Sequence, residues 1–202
     1  MSLETIQSPL NKTYADKFYF IMNMPSALNN LAKKHNLENI RNGINKESIK
    51  WNLISASIPS INIKAETHPF AGGNAYVSSH TKTPYDPLTI KFKVDNKYSN
   101  YLTVYEWINL IYDESEGHYD ALDLSNGKSG LQSYATNVSI VATDEYDNPI
   151  LQWIFSRAFP TQLSNFELNY QSTEELVCTA TFVFSQMKIR NVQAGGLNAN
   201  VS

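Results

Sequence analysis

Leu88-Thr89-Ile90-Lys91-Phe92-Lys93-Val94-Asp95 decides the fold class of this chain: every even position is apolar and every odd one polar. A β-strand sends successive side chains to opposite faces, so this register buries one face and leaves the other to water. The same period of two recurs in Ile49-Lys50-Trp51-Asn52-Leu53, at Phe18, Phe20, Met22 and Met24, and in Asn165-Phe166-Glu167-Leu168-Asn169-Tyr170. Val138, Ile140 and Ala142 run into Asp144-Glu145-Tyr146-Asp147-Asn148-Pro149, a cluster of turn formers. Ile150 to Ser156 then reads as the returning strand of a hairpin. A long final strand is expected from Glu175 to Ile189. It carries Leu176, Cys178, Ala180, Phe182 and Phe184 on one face and Val177, Val183 and Met187 on the other, a pattern of burial on both faces.

Helical spacing appears in two places. Tyr101, Val104, Tyr105, Ile108, Ile111 and Tyr112 form one stripe of an amphipathic helix, with Ser99 or Asn100 as its N-cap. A weaker second helix is expected over Ser26 to Asn36, with Leu28, Leu31, Ala32 and His35 on one side. The chain therefore reads as a mainly β domain of about seven strands over residues 1–190, with insertions near 25–48 and 114–133. Residues 191–202 form a C-terminal tail.

The 202 residues suffice for one well-packed domain. Twenty-four Tyr, Phe and Trp side chains exclude a wholly disordered chain. A net charge of −3 argues against a dedicated nucleic-acid binder. No apolar run approaches the ~20 residues of a membrane helix, and the first residues lack the basic and apolar blocks of a signal peptide. Cys178 is the single cysteine, so neither an internal disulfide nor a cysteine-based zinc cluster is available. Synthesis in a reducing cytoplasm fits these features.

The sequence offers little to a catalytic reading. His35, His68, His80 and His118 are scattered, and the two that flank one segment, His68 and His80, lack a neighbouring carboxylate pair. The acidic run Asp113 to Asp123 imitates the start of a calcium loop, but Ala121 and Leu122 interrupt its ligand spacing. Cys178 reads as a small buried hydrophobe. Gly72-Gly73 and Gly195-Gly196 lack the context of a phosphate loop. The expectation is a protein without enzymatic activity, metal or cofactor. Thr67 to Pro87 reads instead as a long loop bearing Phe70, Tyr76, Val77 and Tyr85, suited to contact anchors. A carbohydrate-binding β-sandwich is a competing reading, with Trp51, Trp107 or Trp153 as a stacking platform, although core packing suits all three.

Ala158-Phe159-Pro160-Thr161-Gln162-Leu163-Ser164-Asn165-Phe166-Glu167-Leu168-Asn169-Tyr170 resembles the AFPT-x-[LI]-x-x-[LIF] segment of tail tube proteins from contractile-tailed, T4-like phages. In that family an acidic turn and a long last strand follow, and Ser172-Thr173-Glu174-Glu175 and Leu176 to Met187 take those places. Ile90 to Asp95 and Val104-Tyr105-Glu106-Trp107-Ile108-Asn109 resemble the family's strand and helix with an acidic-Trp element. Ile58-Pro59-Ser60-Ile61 and His68-Pro69-Phe70-Ala71-Gly72 resemble its contact strand and loop. The similarity spans about Phe18 to Ile189.

The resemblance implies two packed antiparallel sheets forming a β-sandwich or small barrel with one flanking α-helix. It implies homohexameric rings, joined through their inner sheets and stacked into a hollow tube inside a contractile sheath. Its partners would be the sheath protein, baseplate and neck proteins, and DNA passing through the lumen without sequence-specific binding. The place would be the virion, after synthesis in the host cytoplasm. His68, Phe70, Gly72, Gly73, Tyr76, Val77 and Tyr85 become candidate subunit or ring contacts. Phe159, Pro160, Thr161 and Trp107 become architectural residues, with Pro160 setting a corner into the next strand. A baseplate initiator or neck adaptor of the same fold is the alternative within this class.

Overall fold

A computed structural model describes residues 15–25, 27–28, 48–51, 53–111, 134–171 and 175–192. In chain order the elements are β1 (Phe18–Asn23), β2 (Ser48–Trp51), β3 (Leu53–Ser57), β4 (Ile63–Phe70), β5 (Gly73–Lys82), β6 (Leu88–Lys93), helix α1 (Ser99–Ile111), β7 (Thr136–Thr143), β8 (Pro149–Leu163), β9 (Val177–Val183) and β10 (Gln186–Asn191). Seven strands form one hydrogen-bonded path, β2-β1-β7-β8-β9-β6-β3, and β10, beside β8, makes an eight-stranded sheet. All its pairings are antiparallel. The path begins and ends on neighbouring segments, β2 and β3, so the sheet folds over on itself as a β-sandwich that curls toward a barrel.

The fold-over is made within β8. Its first part pairs β7 and β10, and Phe159 to Leu163 pairs β9 instead. Between the two parts Arg157 takes φ 54°, the left-handed conformation that turns an L-residue chain sharply. The Arg157 N–H donates to Asn137 Oδ1 at 3.4 Å. One layer is thus β2-β1-β7-β8-β10 and the other β8-β9-β6-β3.

The core lies between them. Leu88, Ile90 and Phe92 of β6 are buried as their alternation predicts, facing Cys178, Ala180 and Phe182 of β9. Phe20 of β1 meets Phe182 across the sandwich at 6.1 Å and stacks on Trp51 at 5.7 Å, and Trp51 reaches Phe92 at 5.2 Å. Helix α1 inserts Val104 and Trp107 into the same cluster, with Trp107 edge-on to Phe182 at 5.8 Å. Its N-terminus is held from outside the helix. The Asp95 carboxylate accepts the Lys97 and Ser99 N–H groups, and Asn100 Oδ1 accepts those of Asp95 and Tyr101. Capping therefore falls to Asp95 as well as Asn100, because Tyr98, with φ 57°, bends the chain back over the aspartate.

Several sequence expectations are corrected. Ile49 to Leu53 is not one strand: β2 pairs β1, whereas β3 pairs β6 in the other layer. The long last strand is broken at Phe184-Ser185 into β9 and β10, which serve different layers. Two-sided burial belongs instead to the first layer, where Tyr19, Ser139, Val141 and Gln152 are buried on the face opposite the core. Asn165 to Tyr170 is not a strand, since the ladder to β9 ends with the Ser164 N–H donating to Thr179 O at 2.8 Å. Beyond it Phe166 packs edge-on against Tyr101, and Leu168 and Tyr170 stand in solvent. The second helix beyond Ala27 and Leu28, Tyr112 of the first helix, the insertion 114–133 and the tail past Val192 lie outside the described residues.

Candidate assembly interface

The segment expected to be a loop, Thr67 to Pro87, is a β-hairpin over most of its length. Among the described residues, β4 and β5 pair only with each other, as a separate two-stranded sheet. Its sequence is poor in the apolar alternation that marks a half-buried strand, because neither of its faces is buried in the monomer. Ala71 (φ 48°) and Gly72 (φ 84°) form the tip. Two successive positive φ values are those of a type I′ turn, whose twist matches the flanking strands. Gly72 suits that conformation; Ala71 adopts it against its preference.

The register fixes what each face displays. Thr67 stands opposite Tyr76, and Ala65 opposite Ser78. Glu66 stands opposite Val77, His68 opposite Ala75, and Phe70 opposite Gly73. Tyr76 therefore lies on one face, and His68, Phe70 and Val77 on the other. Phe70 is 73% exposed and Tyr76 80%. Further from the tip the register shifts by two residues on the β5 side, around His80 at φ 56°. There the Ser79 hydroxyl donates to Lys64 O at 2.7 Å. Tyr85 belongs elsewhere: its ring packs on Phe184 at 5.1 Å, and its hydroxyl meets Lys82 Nζ. The seven residues are thus divided between a free ribbon and, for Tyr85, the body of the sandwich.

The architectural residues also differ from expectation in setting. Phe159-Pro160-Thr161 is no corner; it lies inside β8, where the register against β9 shifts between Pro160 and Gln162. Pro160 opposes Phe182, Phe159 meets Tyr134 edge-on at 5.4 Å, and the Thr161 hydroxyl donates to Thr181 O at 3.3 Å. A proline is tolerated there because, among the described residues, Phe159 to Leu163 pairs on one side only, as an edge. Trp107 is fully buried.

Two features go beyond what the sequence assigned. The outward face of the second layer is polar and hydroxyl-rich: Ser55 and Ser57 of β3, Thr89, Lys91 and Lys93 of β6, Thr179 and Thr181 of β9, and Gln162 of β8 share it by register. Its two flanking strands, β3 and the end of β8, each keep one edge unpaired among the described residues. Lys93 pairs with Glu175, while Lys91 is exposed. The second feature is an apolar crevice of about 300 Å³ at one end of the sandwich, between Phe18, Ile140 and Trp153 of the first layer and Ile54 and Ile58 at the second.

Titratable groups carry little of the pattern. Burial raises the Tyr19 hydroxyl above its ordinary range. Asp144 is lowered, first by the hydrogen bond from the Asn148 side chain and then by backbone N–H groups of its turn. Among the described residues no three His, Cys, Asp or Glu side chains converge to hold a metal ion, and no helix is long and apolar enough to cross a membrane.

A family model described as phage tail tube protein matches residues 14–190. No curated protein sequence matches the chain. Among solved structures, the chain is similar to one in the anti-feeding prophage baseplate, with a TM-score of 0.57 and 15% identity over 89% of this chain and 96% of that one. It is similar to one in the anti-feeding prophage tube-terminating cap, with a TM-score of 0.57 and 17% identity over 95% and 100%. It is also similar to one in the sheath–tube complex of an extracellular contractile injection system in its extended state, with a TM-score of 0.53 and 14% identity over 91% and 95%. At these identities the likeness is one of fold.

Proposed function

From the chain's membership of the phage tail tube protein family, as a structural subunit of a tail tube, we propose that it polymerises as stacked hexameric rings into a hollow conduit. The observation that carries this reading is the free β4–β5 hairpin, exposed on both faces. An isolated two-stranded hairpin is marginal in water, so a ribbon this apolar at its tip is stabilised by another molecule. We assign His68, Phe70, Gly72, Gly73, Tyr76 and Val77 to contacts between subunits or rings.

The second layer supplies the conduit wall in this proposal. Its unpaired β3 and β8 edges meet those of the neighbouring copies, which removes the exposed edges that would otherwise invite aggregation. Its outward face then lines the lumen with hydroxyls, amides and Lys91. Such a wall, sparse in charge, lets DNA slide past without sequence-specific binding. The subunit has a mechanical role in the virion, without catalysis, and is made in the host cytoplasm. Sheath, baseplate and neck proteins are its proposed partners. Against the carbohydrate-binding reading, Trp51 and Trp107 are buried, and Trp153, at the crevice, is partly buried against the core.

Negative-stain electron microscopy of the purified protein at high concentration tests the proposal, with sedimentation alongside. Hollow tubes or stacked rings with a central channel are expected. A persistent monomer favours the initiator or neck adaptor of the same fold.

A further inference from the structure

The crevice is an unfinished end of the hydrophobic core. Phe18 and Trp153 face inward from the first layer but stay half-exposed there, and Ile54 and Ile58 at the other wall are 42% and 37% exposed. A cavity of about 150 Å³ lined by aliphatic and aromatic side chains holds a benzene ring. This one, at about 300 Å³, has room for a phenyl ring and its Cβ. Its polar lining residues are Ser55 and Lys17, and Lys17 is tied to Asp147 at 3.4 Å.

The same chain carries an unmatched plug. Phe70 ends β4, seven residues beyond Ile63 on an extended strand, which places it about 23 Å away at ~3.3 Å per residue. It is 73% exposed and so does not fill its own crevice. Tyr76, on the opposite face of the ribbon, would bring a hydroxyl into an apolar site and leave it without a partner. Phe70 has no such cost.

We propose that Phe70 at the hairpin tip of one copy inserts into the crevice between Phe18, Ile54, Ile58 and Trp153 of another copy. The plug and the socket occupy different patches of one surface, so the contact is head-to-tail. Such contacts propagate as an open filament instead of closing into a dimer. This is the contact that stacks successive rings, and it rests on the tube reading above.

Mixed disulfides test it. Tagged protein carrying Phe70→Cys and untagged protein carrying Ile54→Cys are combined at polymerising concentration and oxidised. Both positions are exposed, and the native Cys178 is 1% exposed and does not compete. The expected result is a tagged–untagged dimer linked through positions 70 and 54, at least about tenfold above the yield from Tyr76→Cys with Ile54→Cys. Polymer without that excess overturns the plug while leaving the tube reading in place. Failure of the unsubstituted protein to polymerise, with no mixed disulfide, overturns both. As a second measurement, Phe70→Ser should raise the concentration needed for polymerisation at least about tenfold, with Phe70→Leu intermediate. Polymerisation of Phe70→Ser at the parent's concentration overturns the inference.

Discussion

The Trp107 indole donates its Nε1–H to the Tyr134 carbonyl oxygen at 2.7 Å. The bond joins the middle of helix α1 to the residues that lead into β7, so one side chain both fills the core and fixes where the chain re-enters the sandwich. Trp107→Phe keeps most of the buried ring but leaves the Tyr134 carbonyl unmatched, at a cost of about 1–3 kcal/mol. Trp107→Ala adds a cavity and costs about 3–5 kcal/mol. Urea denaturation of dilute protein measures both. Equal midpoints for Trp107→Phe and the parent would show that the bond contributes nothing.

Removal of residues 70–78 takes away the hairpin tip and its aromatic anchors while leaving every strand of the eight-stranded sheet intact. The body should unfold within about 0.5 kcal/mol of the parent, as for changes away from the core. Sedimentation should find it monomeric where the parent polymerises. Tubes of ordinary length from this variant would remove the hairpin from assembly.

At the hairpin tip, Gly72→Ala would meet no atom within 4 Å, so its cost is that of the backbone alone. A left-handed alanine costs about 1 kcal/mol, which corresponds to about fivefold faster amide exchange in β4 and β5. Ala71→Asn should act in the opposite direction, because Asn-Gly is the favoured type I′ pair. Exchange rates unchanged by either substitution would mean that the tip does not control the ribbon.

The β7–β8 turn is held by Asp144, whose carboxylate accepts the Tyr146 and Asn148 N–H groups, each at 2.8 Å. Its folded pKa lies below the unfolded value, chiefly through the Asn148 side chain. The contribution is therefore complete above the ordinary aspartate range, near 4, and is lost as pH falls through the lower folded pKa. NMR should show the Tyr146 and Asn148 amides losing protection on acidification before those of β6. Asp144→Asn should remove that pH dependence.

Cys178 is a test of core integrity. Its thiol is buried beside Ser164, with Sγ to Oγ at 3.5 Å. A thiol reagent should label it only at the rate of opening of β8–β9, and stoichiometrically in denaturant. Fast labelling of native protein would show that this part of the second layer opens readily.

The strands that were legible are those with one wet and one dry face. Leu88 to Val94 announces itself because Ile90 and Phe92 are buried while Lys91 and Lys93 meet water. The turn at Asp144 to Asn148 was equally clear, since Asp144, Asp147 and Asn148 each favour a turn for a local reason. The β4–β5 hairpin was not, because a ribbon bare on both faces has no hydrophobic period to display. Asn165 to Tyr170 erred in the other direction: it alternates, but the ladder to β9 ends at Ser164, and the segment beyond it pairs with no strand among the described residues. For the candidate interface, the exposed aromatics Phe70 and Tyr76 were visible as residues, whereas their separation onto opposite faces follows only from the register of Thr67 with Tyr76 and of Phe70 with Gly73.

By itself the sequence determined the class of the molecule. Periods of two, one amphipathic helix and the segment around Ala158-Phe159-Pro160-Thr161 are local properties, set by the chemistry of residues a few positions apart. Tertiary structure decided which layer each strand joins. The left-handed turn at Arg157 sends one strand into both layers, and the division between Trp51 and Leu53 does the same at the sheet's other end. Those choices leave the crevice beside Trp153 open and, among the described residues, two strand edges bare. They depend on pairings between residues far apart in the chain, which no local pattern encodes.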